Sequence, residues 1–515
     1  MKSLYFLPLA AALVASPAYS IFIDGSGRYS LRGETRTAPG FTKDSGEFQA
    51  IEQFFRLDTE IRVSDDASFF MEFELFENER AAFLGDSPAV TCPEGADNDE
   101  CIRHQNSLEP SYDLYVPRIR TIYAQYATDY CLLTVGRRPR EWGMGLYLDA
   151  GRDKFDVGAS VYDGVTCDIN IQKSQTLGFS VGYDKITETG ASVYQSPATD
   201  QEVFGSTNRS DDLDQIFFTL SYNDHELNAN KGFSQEISFY FANIFGGRNT
   251  KADVKIADLY VNFLVGDLLI RNEFLFRLGE SSDPTLKYLG GLRGTDSDNK
   301  VRSRLQAISA AGSFEYFLSR SGSKVGPEKL AQSGITSHSL FFDYAFAPGD
   351  SDGYYAENAS VDLQPLRDDN VTAVAFNQNF KPALLLFNGK PGTDNLRVDG
   401  VFDPFRIMNT TVFSIGYRYQ SFDYGNFEVK AITASLNESM PSDVRASVGN
   451  DNRLIGYGGT NLGVELDLSY EMALGQGFDW GIAGAIAQPG DAWKTAEDVE
   501  TELNYQLQSS FSFSF

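Results

Sequence analysis

The chain ends on QLQSSFSFSF. Side chains of a β-strand point alternately to its two faces. Leu503, Tyr505, Leu507, Phe511, Phe513 and Phe515 therefore share one face, and Asn504, Gln506, Gln508, Ser510, Ser512 and Ser514 the other. So aromatic a face needs a protein core or lipid against it, and so polar a reverse needs water.

The same alternation recurs along the chain. FFRLDTEIRV sets Phe55, Leu57, Ile61 and Val63 against Arg56, Asp58, Glu60 and Arg62, and after a short turn at Ser64–Ser68 the run FFMEFELF sets Phe69, Met71, Phe73 and Leu75 against Glu72 and Glu74. IADLYVNFLVGDLLIRNEFLFRLG bends at Gly266–Asp267. NLGVELDLSYEM places Leu462, Val464, Leu466 and Leu468 opposite Glu465 and Asp467. Long polar segments, roughly 79–111, 139–164, 185–212, 280–300, 348–407 and 438–460, alternate with short turns. Beyond the leader, no apolar run approaches the ~20 residues of a membrane helix; the longest compact one is Ala383–Phe387. Hydrophobic content is only 42% and mean hydropathy −0.28, yet aromatics reach 13%. Few apolar residues, many aromatics and weak but repeated alternation predict an all-β protein, a transmembrane antiparallel β-barrel with short periplasmic turns and long extracellular loops. The segments number about 18 strands, with boundaries that also admit 16, and both termini fall on the periplasmic side. The connector at 319–335 is long for that side. A β-solenoid would show a short repeat, and none is present.

The amino-terminus agrees. Lys2, an apolar stretch over Leu4–Val14 and small residues at Ala18 and Ser20 form a cleavable export signal over 1–20, leaving 21–515 as the barrel. The expected address is the outer membrane of a Gram-negative bacterium, with lipid, lipopolysaccharide and the barrel-assembly machinery as partners. Phe515 is the expected assembly signal. A net charge of −28 excludes nucleic acid as a partner. In an oxidising compartment Cys92 and Cys101, flanking PEGADNDE, are close enough to bridge; the pairing of Cys131 and Cys167, on neighbouring segments, stays open.

If apolar residues face lipid, the charged face lines the lumen. The acids are Asp58, Glu60, Glu72, Glu74, Glu236, Asp258, Glu273, Glu315, Asp343, Glu428, Glu465 and Asp467, and the bases Arg56, Arg62, Arg271, Arg277, Arg418 and Lys430. A barrel of ~18 strands is too wide for its own side chains to fill. An acidic lumen then concentrates cations, although cross-strand ion pairs that stiffen the wall would use the same residues. VGRRPREWGMGLYLDAG is the most distinctive stretch. Arg137, Arg138, Arg140 and Trp142 form a candidate constriction that stacks on sugar rings or holds carboxylates. The competing role is an interfacial anchor on lipopolysaccharide phosphates.

The pattern G-R-x-P-x-x-W-G-[apolar]-G in that stretch, with AFNQNFKPALLLF at Ala375–Phe387, resembles a family of deltaproteobacterial outer-membrane barrels without an established function. The overall plan more distantly resembles alginate-export-type porins. Gln378–Asn379 stands where Pro-Asp is common there, and Arg138 is an added arginine. The resemblance implies a barrel; the acidic lumen does not fit alginate, which would want an arginine-lined path.

Nothing points to an enzyme. His104 and His225 lie in loop and turn sequence, and His338–Ser339 lacks partners for nucleophilic catalysis. GDSDGYYAEN (Gly349–Asn358) and TDSDN (Thr295–Asn299) offer calcium-type oxygens at alternate positions, but neither completes a calcium loop. No other cofactor is indicated. The expected function is passive diffusion of small hydrophilic solutes through a porin-type, cation-preferring channel. The alternative is a non-conducting scaffold or surface-interaction barrel plugged by 348–407 or 319–335. Solute and oligomeric state are not encoded in a readable way.

Overall fold

The computed structural model describes residues 22–37, 41, 47–80, 118–156, 159–170, 176–186, 213–224, 233–246, 252–281, 303–321, 336–350, 370–377, 379–388, 406–421, 423–439, 459–475, 477–494 and 500–515. The leader, Cys92, Cys101, His104, His225, most of the connector 319–335 and most of both acidic loops lie outside them.

The strands are β1 (Phe22–Thr37), β2 (Glu47–Ser64), β3 (Ala67–Arg80), β4 (Arg118–Ala127), β5 (Leu132–Pro139), β6 (Val161–Asn170), β7 (Leu177–Ile186), β8 (Leu213–Asn223) and β9 (Phe233–Gly246). They continue with β10 (Ala252–Val265), β11 (Leu268–Ser281), β12 (Ser303–Ser321), β13 (Thr336–Ala347), β14 (Asn370–Val371), β15 (Thr410–Ser421), β16 (Gly425–Leu436), β17 (Asn461–Gly475), β18 (Phe478–Pro489) and β19 (Asn504–Ser514). β14 is a two-residue piece lying parallel to β12. The other 18 form one antiparallel barrel, each pairing with its neighbours in sequence, and β1 closes it by pairing with both β2 and β19. The closing register runs from Arg28 opposite Ser514 to Arg36 opposite Gln506. The bend at Gly266–Asp267 is the β10–β11 turn.

Burial is inside out. Ile216 is 51% exposed, Leu466 51% and Leu507 54%, whereas Asp184, Asp258 and Glu273 are 0% exposed. In water such a wall would forfeit roughly 25 cal/mol for every Å² of apolar surface left wet; against acyl chains it forfeits nothing. Phe511, Phe513 and Phe515 are all exposed on this outer face, while Ser512 points inward and its hydroxyl lies 3.1 Å from that of Ser30.

Both edges of the apolar belt are marked. Near the short turns the exposed aromatics Tyr126, Tyr130, Tyr222, Tyr316 and Tyr424 gather, the arrangement that rings belonging half to lipid and half to water adopt. Toward the long loops, Arg137, Asp163, Lys185 and Asp214 follow one another from strand to strand on the outer wall. Arg137 donates two hydrogen bonds of 2.9 Å to Asp163. Tyr222 and Asp214 are separated by roughly eight residues of β8, a rise of about 20 Å once strand tilt is allowed for, close to a bilayer's apolar span.

Among the register shifts that break the simple alternation, two move residues that matter to the interior. A bulge opposite Ala434–Ser435 inserts Leu462 as an extra residue, so Leu462 is buried inside and does not share the lipid face with Val464, Leu466 and Leu468. A second bulge opposite Glu72–Phe73 turns Arg120 inward beside Thr121.

The Phe515 amide and carbonyl pair with those of Gly27 (3.0 and 2.9 Å), and a Cβ at Gly27 would collide with the Phe515 ring. Gly27→Val and deletion of Phe515 should therefore each lower the yield of folded, heat-modifiable barrel, read by gel mobility of unheated samples. Normal yield from both variants would contradict this account of the seam.

Cys131 and Cys167 are joined across β5 and β6. With these two bonded to each other, neither is available to Cys92 or Cys101. Mass spectrometry of non-reduced peptides should show the Cys131–Cys167 link together with a separate Cys92–Cys101 link.

Candidate pore and the loops folded into it

The predicted lumen residues are placed on the inner face, but most of the charges there are neutralised by one another. Arg56 sits 2.7 Å from both Glu72 and Glu74. Arg120, which simple alternation misses, reaches Glu72 at 2.6 Å and Glu74 at 3.0 Å and donates to the carbonyls of Ala150 and Gly151. Arg418 bonds Glu428 (2.8 Å) and Glu315 (3.3 Å), and Lys430 lies 3.7 Å from Glu428 and 3.8 Å from Asp467. Glu60 pairs with Arg62 at 3.0 Å. Arg271 donates to Ser313, Asn262 to Glu236, and Ser414 to Asp343.

The candidate constriction divides by strand parity. Arg137 points outward to Asp163, at the headgroup edge of the belt. Arg138 points inward and bonds Asp184 (2.7 Å) and Thr166, while Arg140 lies 3.7 Å from Asp184 with its guanidinium over the Phe217 ring. Trp142 packs on Tyr240. The stretch thus divides, with Arg137 on the outer wall and Arg138, Arg140 and Trp142 on the inner side. His338 faces outward among Tyr417 and Tyr419.

Beyond Pro139 the chain folds into the lumen. Glu273 receives the backbone N–H groups of Met144 and Leu146, the latter at 3.3 Å. Gly143 lies so close to this carboxylate, with φ of +59°, that a side chain there would both collide and strain the backbone. Farther on, Arg28 donates to the Arg152 carbonyl (3.0 Å), Phe155 lies under the Arg32 guanidinium, and Lys154 bonds Glu471 and, at 3.1 Å, Asp479. A loop that leaves β5 is therefore fastened to β1, to β11 and to the β17–β18 hairpin.

A second segment enters from the opposite side. Glu465 accepts the N–H groups of Leu385 (2.7 Å) and Leu386 (2.9 Å), Asp467 accepts that of Leu384 (3.2 Å), and Arg36 donates to the Asn388 carbonyl (2.9 Å). The apolar run 383–387, too short for a membrane helix, is buried here. It joins Leu146, Leu148, Phe376, Ile407, Trp493 and the inward residues Val254, Ile256, Leu275 and Ile432 in an apolar core inside the long-loop half of the barrel. The charged lining expected from the sequence gives way there to apolar wall residues, for which the covering segments supply apolar partners. The two segments touch: Asn377 donates its N–H to the Leu146 carbonyl at 2.8 Å and Asn379 bonds Asp149 at 3.0 Å. These are the two stretches that carry the sequence resemblance. Among the described residues no group of three or more His, Cys, Asp or Glu is placed to hold a metal ion.

No family model matches the chain, and no curated protein does. Similar solved structures include OccK8 (OprE) of Pseudomonas aeruginosa, 11% identical over 96% of this chain and 98% of that one with a TM-score of 0.47. OprD of the same organism is 11% identical over 98% and 96% at 0.46, and OccAB4 of Acinetobacter baumannii 12% identical over 96% and 98% at 0.44. The barrel is defined by its own strand pairing.

Removing one member of a buried ion network leaves an uncompensated charge and costs about 3–5 kcal/mol. Arg120→Met should therefore lower barrel stability by that order, measured by urea unfolding in detergent, and should loosen 150–152 in hydrogen exchange. In the inward loop, burial pushes the Asp156 carboxyl up to about 6, against the Asp153 N–H that favours its ionised form. A raised carboxyl pKa stabilises below the unfolded value of about 3.9 and loses that contribution as pH rises toward 6. Protection of 153–156 from hydrogen exchange, corrected for intrinsic rate, should fall between pH 4 and 6.5, and Asp156→Asn should abolish this dependence.

Proposed function

We propose that this chain is an outer-membrane channel for small hydrophilic solutes. The carrying observation is the inversion of the wall: apolar side chains exposed around a closed barrel, ionised ones inside it. A lipid-spanning barrel with a charged interior is built to keep water and polar solutes in contact with protein while excluding lipid. The inward segments narrow the lumen on the long-loop side. On the short-turn side water reaches the tip of the first loop, because the contacts of Arg28 with Arg152 and of Lys154 with Glu471 are exposed.

A weak cation preference is the accompanying proposal. Glu273 and Glu465 are engaged by backbone amides, and Glu72, Glu74 and Asp184 by arginines, so these acids act little on a passing ion. The solvated acids Asp24 and Asp58, together with the one negative charge by which Glu471 and Asp479 exceed Lys154, would set the sign at the short-turn mouth. Purified protein in a planar bilayer should conduct, with reversal potentials under a KCl gradient showing mild cation selectivity that fades at molar salt, where the Debye length is ~3 Å. Glu471→Gln with Asp479→Asn should shift it toward anions. Anion selectivity of the intact channel would overturn the preference, and absence of conductance would return the case to a non-conducting scaffold.

A further inference from the structure

On the inner wall of β9–β11, beneath the first inward loop, lies a group of polar atoms that the fold leaves incompletely satisfied. Arg277 is 2% exposed, yet its Nε and Nη1 have no hydrogen-bond partner, and its one donated bond, to the Ala375 carbonyl, is 3.5 Å long. Asp258, fully buried, stands beside Trp142 and Glu273, and the Tyr240 hydroxyl beside Arg140, but none of these contacts has hydrogen-bond geometry. Asp258 and Tyr240 are cross-strand partners, Trp142 lies 5.5 Å from the Tyr240 ring, and Tyr147 lies 6.1 Å from it with Arg277 over its face. Unpaired buried polar atoms are costly, and so many in one place are what a polar guest would satisfy.

We infer that this nest is a solute-holding site for a neutral, hydroxylated molecule such as a sugar or polyol, an inference that rests on the channel reading above. The charges cancel, with Arg138, Arg140 and Arg277 facing Asp184, Asp258 and Glu273, the last of which also accepts the Met144 and Leu146 amides. No net charge is left to recognise an ion. What remains are hydroxyl-type partners, the Trp142 and Arg277 N–H donors and the Asp258 acceptors, flanked by the aromatic faces of Trp142, Tyr147 and Tyr240 that stack on C–H surfaces. Trp142 and Arg140 are only partly buried, so a guest enters on their side.

The test uses three solutes on one carbon skeleton: neutral glucitol, anionic gluconate and cationic glucamine. Each is added to the protein conducting KCl in a planar bilayer. Glucitol should block saturably, at least tenfold more tightly than either ion, and the half-blocking concentration should rise tenfold or more in Tyr240→Phe, which keeps the ring and removes only the hydroxyl, and in Trp142→Phe, which keeps an aromatic ring and removes the N–H donor. Purely linear, viscosity-like decreases would mean that water alone fills the nest and would overturn the proposal. So would tighter block by a charged analogue, or block unchanged in both variants. Failure to conduct at all would count against the channel reading alone. The site would then be judged by tryptophan fluorescence of the detergent-solubilised protein, where a saturable glucitol response lost in Trp142→Phe supports it and no saturable response ends it.

Discussion

Every amide in a lipid-facing wall must find its partner within the wall, because hydrocarbon offers none and each unpaired group costs several kcal/mol. That constraint leaves no tolerance for an edge strand, so the pairing of β1 with β19 conditions everything else. Closure explains the chemistry of the last strand, whose rings face lipid and whose serines pack inside. It also explains why Gly27 carries no side chain where the Phe515 ring crosses it. Once the wall is closed, its outer face is fixed as apolar and its inner face is free to carry charge.

Free charge on a wall is also a fastening system. Glu273 and Glu465 each accept two backbone N–H groups from chain that folds inward, and Arg120 and Arg36 donate to carbonyls of the same two segments. A loop held by its backbone is held regardless of its own side chains, which are then left to contact each other or a solute. The interior consequently has two regions. The long-loop half is packed and apolar, and the short-turn half carries exposed charges that water can reach.

The fold was legible because lipid enforces period two along every strand, so Phe511–Phe515 or Ile216–Leu220 reveal their faces without any tertiary knowledge. Legibility stops where the period is broken. Leu462 and Arg120 are each displaced by a bulge, and a parity count must misplace the first and omit the second. The apolar inner wall was likewise hidden, since Val254 and Leu275 look like any other strand residues until the 383–387 segment is seen against them. The GRRPREWG stretch announced its importance by composition, but its arginines divide between lipid edge and lumen according to a strand end that sequence does not mark sharply.

Counting charges by parity therefore measures something other than selectivity. Of the acids that project inward, those most deeply buried are the ones already committed: Glu74 to Arg56 and Arg120, Asp184 to Arg138, Glu465 to two amides. Burial and commitment go together because a charge taken out of water without a partner is costly. A passing ion is influenced mainly by charges that are still solvated, and these lie toward the mouth. The departures from this rule, Asp258 and Arg277, are buried without being properly committed to any neighbour, and that is the physical ground for placing a guest between them.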